Sequence, residues 1–178
     1  MEYASFAEIS ENYLFIKRII ENLSDDNFEF MSKEEARKAK EEILYELSID
    51  TSFKHLAMFE AKLRTDYNLV LSMQKKDALS REYIKLCREH RKKINNYNTP
   101  LEKLCRRVKF DHLLDVVHHF LKQSGAPIHR DCSALKGHLK FRHWYAHGRY
   151  FKHIPSVPDP EDLEYVCDEI ISAIENRA

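Results

Sequence analysis

Glycine and proline are scarce in this chain, and their scarcity strongly limits the folds that it can adopt. Only three glycines and five prolines stand among its 178 residues. A sheet protein needs many tight turns, and these two residues supply the backbone angles that such turns require. The chain therefore favours helices, and its content of 43% hydrophobic and 33% charged residues is typical of a globular protein.

The length of the chain fits one domain, since single hydrophobic cores commonly extend to about 150 to 200 residues before a chain divides. We expect one helical domain over residues 1–178. The N-terminus has neither the basic start nor the apolar run of a signal peptide, and no stretch reaches the roughly 18 apolar residues of a membrane span. We therefore expect a cytoplasmic protein with no membrane partner.

Apolar periodicity and helix-capping residues predict an all-α fold, an antiparallel bundle of four to five helices. Capping boxes are recognised at Ser32 with Glu35 and at Thr99 with Glu102, and Gly125 and Gly148 are expected to end helices. Helices are predicted over about 4–23, 32–73, 110–123 and 131–147, and Asp131 is expected to cap the last of these. A break in the second helix is allowed near 48–52. Further helices are predicted from 77 or 80 to 94, from 99 onward, and after Asp159, which caps the final helix.

The residues expected to face the core follow helical spacing within these stretches. The inward sets are Phe6, Ile9, Tyr13, Ile16 and Ile20; Ile43, Leu47, Leu56 and Leu63; Phe110, Leu113, Leu114, Val117, Phe120 and Leu121; and Leu163, Val166, Ile170 and Ile174. The four cysteines, Cys87, Cys105, Cys132 and Cys167, form no C-x-x-C pair. This spacing suggests neither a zinc ribbon nor a disulfide framework, and the cysteines are expected to be buried free thiols.

The charges of the chain are balanced in number but unevenly distributed. Residues 81–109 hold ten Lys or Arg and three acids, residues 129–153 hold six and one, and residues 159–175 hold seven acids and no base. The basic segments predict either one face for phosphate groups or solvated helix faces that pair with the acidic tail. The sequence leaves both interpretations open.

Half of the ten histidines lie in one segment of 25 residues, namely His129, His138, His143, His147 and His153. Imidazole moves protons at neutral pH, and the guanidinium group matches phosphate oxygens. Cleavage of RNA without a metal needs a base for the 2'-hydroxyl, an acid for the leaving 5'-oxygen and positive charge at phosphorus. The segment therefore suits phosphodiester chemistry, with 2',3'-cyclic phosphate ends and no action on DNA.

The run Arg142-His143-Trp144-Tyr145-Ala146-His147 resembles the Arg-polar-x-x-x-His motif of the HEPN superfamily, with His143 in the polar position. The Ala-His-Gly ending, the position of the motif, the helical content and the length are also similar to that superfamily. The resemblance covers essentially the whole chain. It implies a helical bundle that dimerises so that two motifs meet, acting as an endoribonuclease without metal or cofactor in toxins, antiviral defence or CRISPR effectors.

On that resemblance Arg142 and His147 are catalytic, and His143 supports or orients them. It also implies an RNA substrate, a homodimer with a composite active site and a cognate antitoxin or regulatory partner. Candidate RNA-binding residues beside the motif are Lys140, Arg149 and Tyr150. In related toxins regulated by nucleotidyltransferases a tyrosine follows the motif histidine by two residues, whereas Arg149 stands there in this chain. Regulation by adenylylation is therefore not expected.

The spacing of the motif has a geometric consequence. On an ideal helix Arg142 and His147 are about 140° apart, while His143 and His147 share a face. Either the helix distorts before Gly148, or the arginine of one subunit serves a phosphate held by the histidine of the other, which we favour. A second match, Arg107 to His112, has the apolar Val108 in the polar position and an Asp111 that we expect to cap a helix, so we interpret it as accidental.

Three other interpretations of the histidines remain. They could be a partly buried pair at the negative end of a helix. They could bind a metal with His138 or a carboxylate, although no H-E-x-x-H or Glu-x-x-His pattern is present and we predict no metal. The protein could also be a non-catalytic helical module that binds RNA, a nucleotide or another protein.

The neighbours of the histidines are expected to serve structure rather than chemistry. The aromatic residues in and after the motif are expected in the core rather than stacked on RNA bases. These residues are Phe141, Trp144, Tyr145, Tyr150 and Phe151. His112, Asp115 and His119 share a helix face that we expect to meet solvent, and the same interpretation applies to His118.

Overall fold

The computed structural model describes residues 5–24, 27–28, 30–73, 76–94, 108–148 and 156–177. These ranges hold six helices and no strand, so the predicted all-α class is confirmed. The helices are α1 (Phe6–Asn22), α2 (Lys33–Met73), α3 (Ala78–Ile94), α4 (Phe110–Gln123), α5 (His129–Ala146) and α6 (Pro160–Glu175). The helix start predicted at Thr99 to Glu102 lies outside the described residues.

The chain divides into two compact units. The first comprises Met1–Met58 and Lys140–Tyr165, and the second comprises Phe59–Leu139 and Val166–Ala178. The first unit therefore takes α1, the first part of α2, the end of α5 and the start of α6. The HEPN-like motif belongs to this first unit. Among the described residues, none of the helices combines the length and the apolar content that crossing a membrane would require.

Three of the predicted caps are confirmed. Ser32 and Glu35 exchange hydrogen bonds between side chain and backbone before α2, as a capping box does. Asp77, rather than Ser80, caps α3, because its carboxylate accepts the Ser80 backbone N–H at 2.9 Å. The Asp159 carboxylate accepts two backbone N–H groups in the first turn of α6.

Other helix starts differ from the predictions. Helix α1 begins at residue 6 rather than 4, because Ser5 forms a capping box with Glu8. Asp111 is not a cap: it lies in the first turn of α4, where Lys109 takes the cap position without a side-chain hydrogen bond. Helix α5 begins at residue 129, so Asp131 also lies in the first turn instead of capping it. Acids in a first turn still favour the helix through its dipole.

Helix α2 has no break near residues 48–52. The hydroxyl of Ser48 donates to the Leu44 carbonyl at 3.0 Å, and that of Thr51 donates to the Leu47 carbonyl at 2.8 Å. These side chains bond to the backbone four residues earlier, an arrangement compatible with a continuous helix. The helix therefore continues through the polar run.

Two glycines end helices as predicted. Gly125 has φ +72°, and the Ala126 N–H donates to the Leu121 carbonyl at 3.0 Å, which completes a Schellman motif after α4. Gly148 has φ +74°, and its N–H donates to the Tyr145 carbonyl at 3.1 Å. Both glycines adopt a left-handed conformation that other residues rarely enter.

In the first unit, α1 buries Phe6, Tyr13 and Ile20 as predicted, together with the polar Ser10. The predicted burial of Ile16 is wrong, since 41% of the residue is exposed. Ser10 lies at one edge of the buried face of α1, and Ile16 lies just beyond the other edge. Ile43 on α2 is likewise exposed, and Ile9 and Leu47 are half-buried.

In the second unit, α4 buries the predicted stripe except Phe120, which is half-buried. The Phe59 and Phe110 rings meet edge to face with centroids 6.0 Å apart, and the Tyr67 and Tyr83 rings do so at 5.1 Å. The predicted burial of Leu63, Ile170 and Ile174 in this unit and of Leu56 and Leu163 in the first unit is confirmed, whereas Val166 is half-buried and Cys167 is buried beside it. Free buried thiols are confirmed at Cys87, Cys132 and Cys167, and Cys105 lies outside the described residues.

A buried ion cluster closes the C-terminal end of the second unit. The Arg177 guanidinium lies 2.6 Å from the Asp66 carboxylate and 3.3 Å from that of Asp77. It also donates to the Ile174 carbonyl at 2.6 Å. Burial beside this cluster raises the pKa of Tyr83. Since a buried charge that loses its partner is strongly destabilising, the cluster holds the end of α6 in place.

A buried histidine joins α1 to α2 in the first unit. His55 is 0% exposed, its Nε2 lies 3.3 Å from the Ser10 hydroxyl, and its ring lies 6.0 Å from that of Phe6. Its Nδ1 finds no hydrogen-bond partner among the described residues. Burial lowers the pKa of His55 to about 4, so the ring is neutral at pH 7.

We expect acid to weaken the protein through His55. Its folded-state pKa of about 4 lies below its ordinary value of 6.5, so its contribution is complete above pH 6.5 and is lost as the pH falls toward 4. The expected loss at pH 4.5 is about 2 to 3 kcal/mol. His55→Gln should remove that part of the pH dependence, as measured by urea unfolding at pH 7 and 4.5. Parallel losses in the wild type and the variant would contradict this, and exposed His112→Gln is the control.

Candidate functional site

The histidine pair lies where α5 ends. The last helical residue is Ala146, and the His147 N–H still donates to the His143 carbonyl at 3.1 Å. This hydrogen bond keeps the regular four-residue spacing, so the two imidazoles lie on one face, as the sequence predicts. Their ring centroids are 4.2 Å apart and their planes are inclined by 60°.

The two imidazoles are open to solvent, while the arginine is partly covered. His143 and His147 are both exposed, Lys140 is exposed, and Arg142 is half-buried. Arg142 precedes His143 by one residue and is therefore turned about 100° around the helix from it. The regular backbone also preserves the separation of about 140° between Arg142 and His147, so the distortion considered above is absent.

The opposite face of the same turns is buried. Phe141 is 0% exposed and Trp144 is 4% exposed, with ring centroids 6.1 Å apart. Tyr145 is half-buried, and its ring lies 4.5 Å from that of Phe53 on α2. The predicted core role of the aromatic residues is confirmed for Phe141 and Trp144, while Tyr150 lies outside the described residues, as does Phe151.

A hydrogen bond that the sequence did not predict ties the motif to α2. The Tyr145 hydroxyl donates to Asp50 Oδ1 at 3.2 Å, and Lys54 Nζ lies 2.6 Å from Asp50 Oδ2. The Asp50–Lys54 spacing is visible on α2 as an i,i+4 charge pair. Nothing in the sequence indicates that Tyr145, ninety-five residues away, completes it.

Two further candidates for RNA binding, Arg149 and Tyr150, lie outside the described residues.

The predicted solvent face of α4 is confirmed, since His112, Asp115 and His119 are all exposed, whereas His118 is half-buried. In the second match to the motif Val108 is buried and His112 is exposed, while Arg107 falls outside the described residues.

Within the described part of the chain, no group of three or more His, Cys, Asp or Glu residues could hold a metal ion. The third ligand considered for the histidine pair, His138, is half-buried, and burial lowers its pKa. The described residues therefore do not form a closed metal site of the structural kind.

Comparison with protein-family models finds no match, and neither the curated proteins nor the solved structures contain a match to this chain. Fold and site together define an all-α protein with an exposed histidine pair beside an arginine at a helix end. The HEPN resemblance rests on the residues of the motif.

Removing the Tyr145 hydroxyl should loosen the end of α5. We expect Tyr145→Phe to lower the free energy of unfolding by about 1 kcal/mol, because the hydrogen bond to a charged carboxylate is lost while the ring still packs. Urea unfolding measures this change. Tyr165→Phe, at a tyrosine that is 62% exposed, is the matched control and should change stability little. Equal effects of the two substitutions would contradict a role for the Asp50 contact.

Proposed function

We propose that this protein is a metal-independent endoribonuclease that cleaves RNA through the 2'-hydroxyl and leaves 2',3'-cyclic phosphate ends. The supporting observation is the pair of exposed imidazoles, 4.2 Å apart, that follows Arg142 at the end of α5. Two adjacent imidazoles can act as base and acid in one reaction, and an arginine can bind the phosphate beside them.

In the proposed reaction His147 takes the proton of the 2'-hydroxyl, and the 2'-oxygen attacks phosphorus. The bond from phosphorus to the 5'-oxygen breaks, and His143 in its protonated form supports the step by giving that oxygen a proton. The Arg142 guanidinium offsets the negative charge that gathers on the phosphate oxygens. Lys140, which is exposed, together with Arg149 and Tyr150 would hold the RNA on either side.

The active site in this proposal is composite, formed by two copies of the chain. One helix places Arg142 and His147 on different faces, so a phosphate held by His147 of one copy would meet Arg142 of the other across a two-fold axis. The exposed apolar residues Phe15, Ile16 and Ile19 on α1 offer surface for such a contact.

We extend the proposal to a cytoplasmic toxin or antiviral defence effector, as the HEPN resemblance implies. An unrestrained RNase damages its own cell, so a cognate antitoxin or regulatory partner would be needed. These roles rest on the nuclease activity and stand only with it.

Purified wild-type protein should cleave structured RNA in the presence of EDTA. His147→Ala should lower the rate by about 10²-fold or more, since general base catalysis contributes that much. The control His119→Ala removes an exposed histidine from α4 and should leave the rate unchanged. Gel analysis gives the rate, and mass spectrometry should find 2',3'-cyclic phosphate ends.

DNA of the same sequence should remain intact, because it lacks the attacking hydroxyl. Cleavage of DNA, or loss of cleavage in EDTA, would contradict the mechanism. If no RNA is cut by the wild type under any of these conditions, the non-catalytic binding module is the better description.

Mixing two inactive variants tests the composite site. If Arg142 and His147 act across the dimer, Arg142→Ala and His147→Ala chains should form heterodimers with one intact site of two. Random exchange then restores about a quarter of wild-type activity, since half of the dimers are mixed. RNA cleavage after unfolding and joint refolding measures the recovery. No recovery, with dimers present by ultracentrifugation, would place both residues in a single-chain site.

A further inference from the structure

The spacing of His143 and His147 matches a second chemistry besides proton transfer. A metal held by a histidine nitrogen at about 2.1 Å lies about 3.2 Å from the centre of that ring. Two rings at neighbouring positions of a square-planar or octahedral ion then have centres about 4.5 Å apart, and about 5.2 Å at a tetrahedral ion. The observed separation of 4.2 Å is close to the first value and 1 Å short of the second.

The position of the pair favours a cation. His147 directly follows the last residue of α5, where the unsatisfied carbonyl groups of a helix give a partial negative charge. Both rings are exposed, so water can fill the remaining coordination positions. A ligating histidine needs only one ring nitrogen for the metal, and the other stays available for a hydrogen bond.

We propose that His143 and His147 chelate one divalent transition-metal ion of the copper or nickel type, with water as the other ligands, and that the bound ion inhibits the protein. The chelate itself follows from the geometry, whereas the inhibition rests on the proposed nuclease function. Imidazole suits both ions, and a tetrahedral Zn²⁺ fits the ring separation less well.

Binding of the ion would inhibit RNA cleavage because the metal would occupy the histidine nitrogens. A ring nitrogen that coordinates a metal has no lone pair to accept a proton. If His147 is the base and His143 the acid, occupancy of the chelate removes both functions at once. A metal-independent reaction would then be controlled by a metal, and a chelator would restore it.

The second pair of close histidines lacks these properties and serves as an internal control. The His118 and His129 rings are 6.2 Å apart and nearly parallel, farther than either coordination geometry requires. Burial lowers the pKa of His118, and Lys136, His129 and Lys122 lower it further. Lys136 is also paired with Asp115, the nearby carboxylate.

Isothermal titration of the untagged, chelator-treated protein with Ni²⁺ tests the site. We expect one ion per chain, and His143→Ala and His147→Ala should each weaken binding by about tenfold or more, because each leaves a single ligand. His118→Ala and His119→Ala should bind as the wild type does. With Cu²⁺, the electron paramagnetic resonance spectrum should show two equivalent nitrogen ligands. Circular dichroism checks that each variant is folded.

Unchanged Ni²⁺ affinity in His143→Ala and His147→Ala would overturn the chelate, as would a loss in His118→Ala alone. These results do not depend on RNA cleavage, so they leave the nuclease proposal as it was. In the wild type, Ni²⁺ at saturation should stop RNA cleavage and EDTA should restore it. Full cleavage by the Ni²⁺-saturated protein would overturn the inhibition, whereas no cleavage by the metal-free protein would count against the nuclease proposal.

Discussion

The burial of Phe141 and Trp144 fixes the orientation of the last turns of α5, and the candidate site depends on that orientation. Both rings are almost fully covered, and they define the inner side of the helix. Measured around the helix from the midpoint of these two positions, 147 falls about 90° and 143 about 130° away on one side, and 142 falls about 130° away on the other. All three positions therefore lie off the buried face, with the exposed histidines on one side of the helix and the half-buried arginine on the other.

The histidine pair stays exposed because it lies at the end of a helix. Gly148 stops α5 in a left-handed conformation, so no further turn covers His147. The Tyr145 hydrogen bond to Asp50 ties the same turn to α2, which limits fraying where helices usually fray. The imidazoles thus remain open to solvent while the backbone that carries them is held in place.

Local features of the sequence predicted most of the local structure, although the caps expected at Asp111 and Asp131 are wrong. The caps at Ser32, Asp77 and Asp159 and the glycine that ends α5 follow from hydrogen bonds between residues a few positions apart. The shared face of His143 and His147 is of the same kind, since helix geometry alone determines it. Such features need no knowledge of which helices meet, and for that reason they can be predicted from one sequence.

Features that depend on distant parts of the chain were missed. Apolar spacing placed Ile16 inside because it gave no weight to Ser10, which is buried against His55. It also placed Ile43 inside, although 44% of that residue is exposed. The ion cluster of Arg177 joins residues that are 111 positions apart, and periodicity carries no information about such pairs. The fold gives the positions of Arg142 and His147. Their expected catalytic roles follow from the chemistry of guanidinium and imidazole, not from the fold.

One spacing supports both proposals about the histidine pair, although a pair that holds a metal could not also transfer protons. Proton transfer to and from RNA by two imidazoles and chelation of a metal by them both require nitrogen atoms that are close together and open to solvent. The lone pairs cannot serve both at the same time. If both proposals hold, transition metals would inhibit RNA cleavage unless RNA occupies the histidine pair first. Competition between RNA and the ion is the physical consequence, since the two ligands need the same nitrogens.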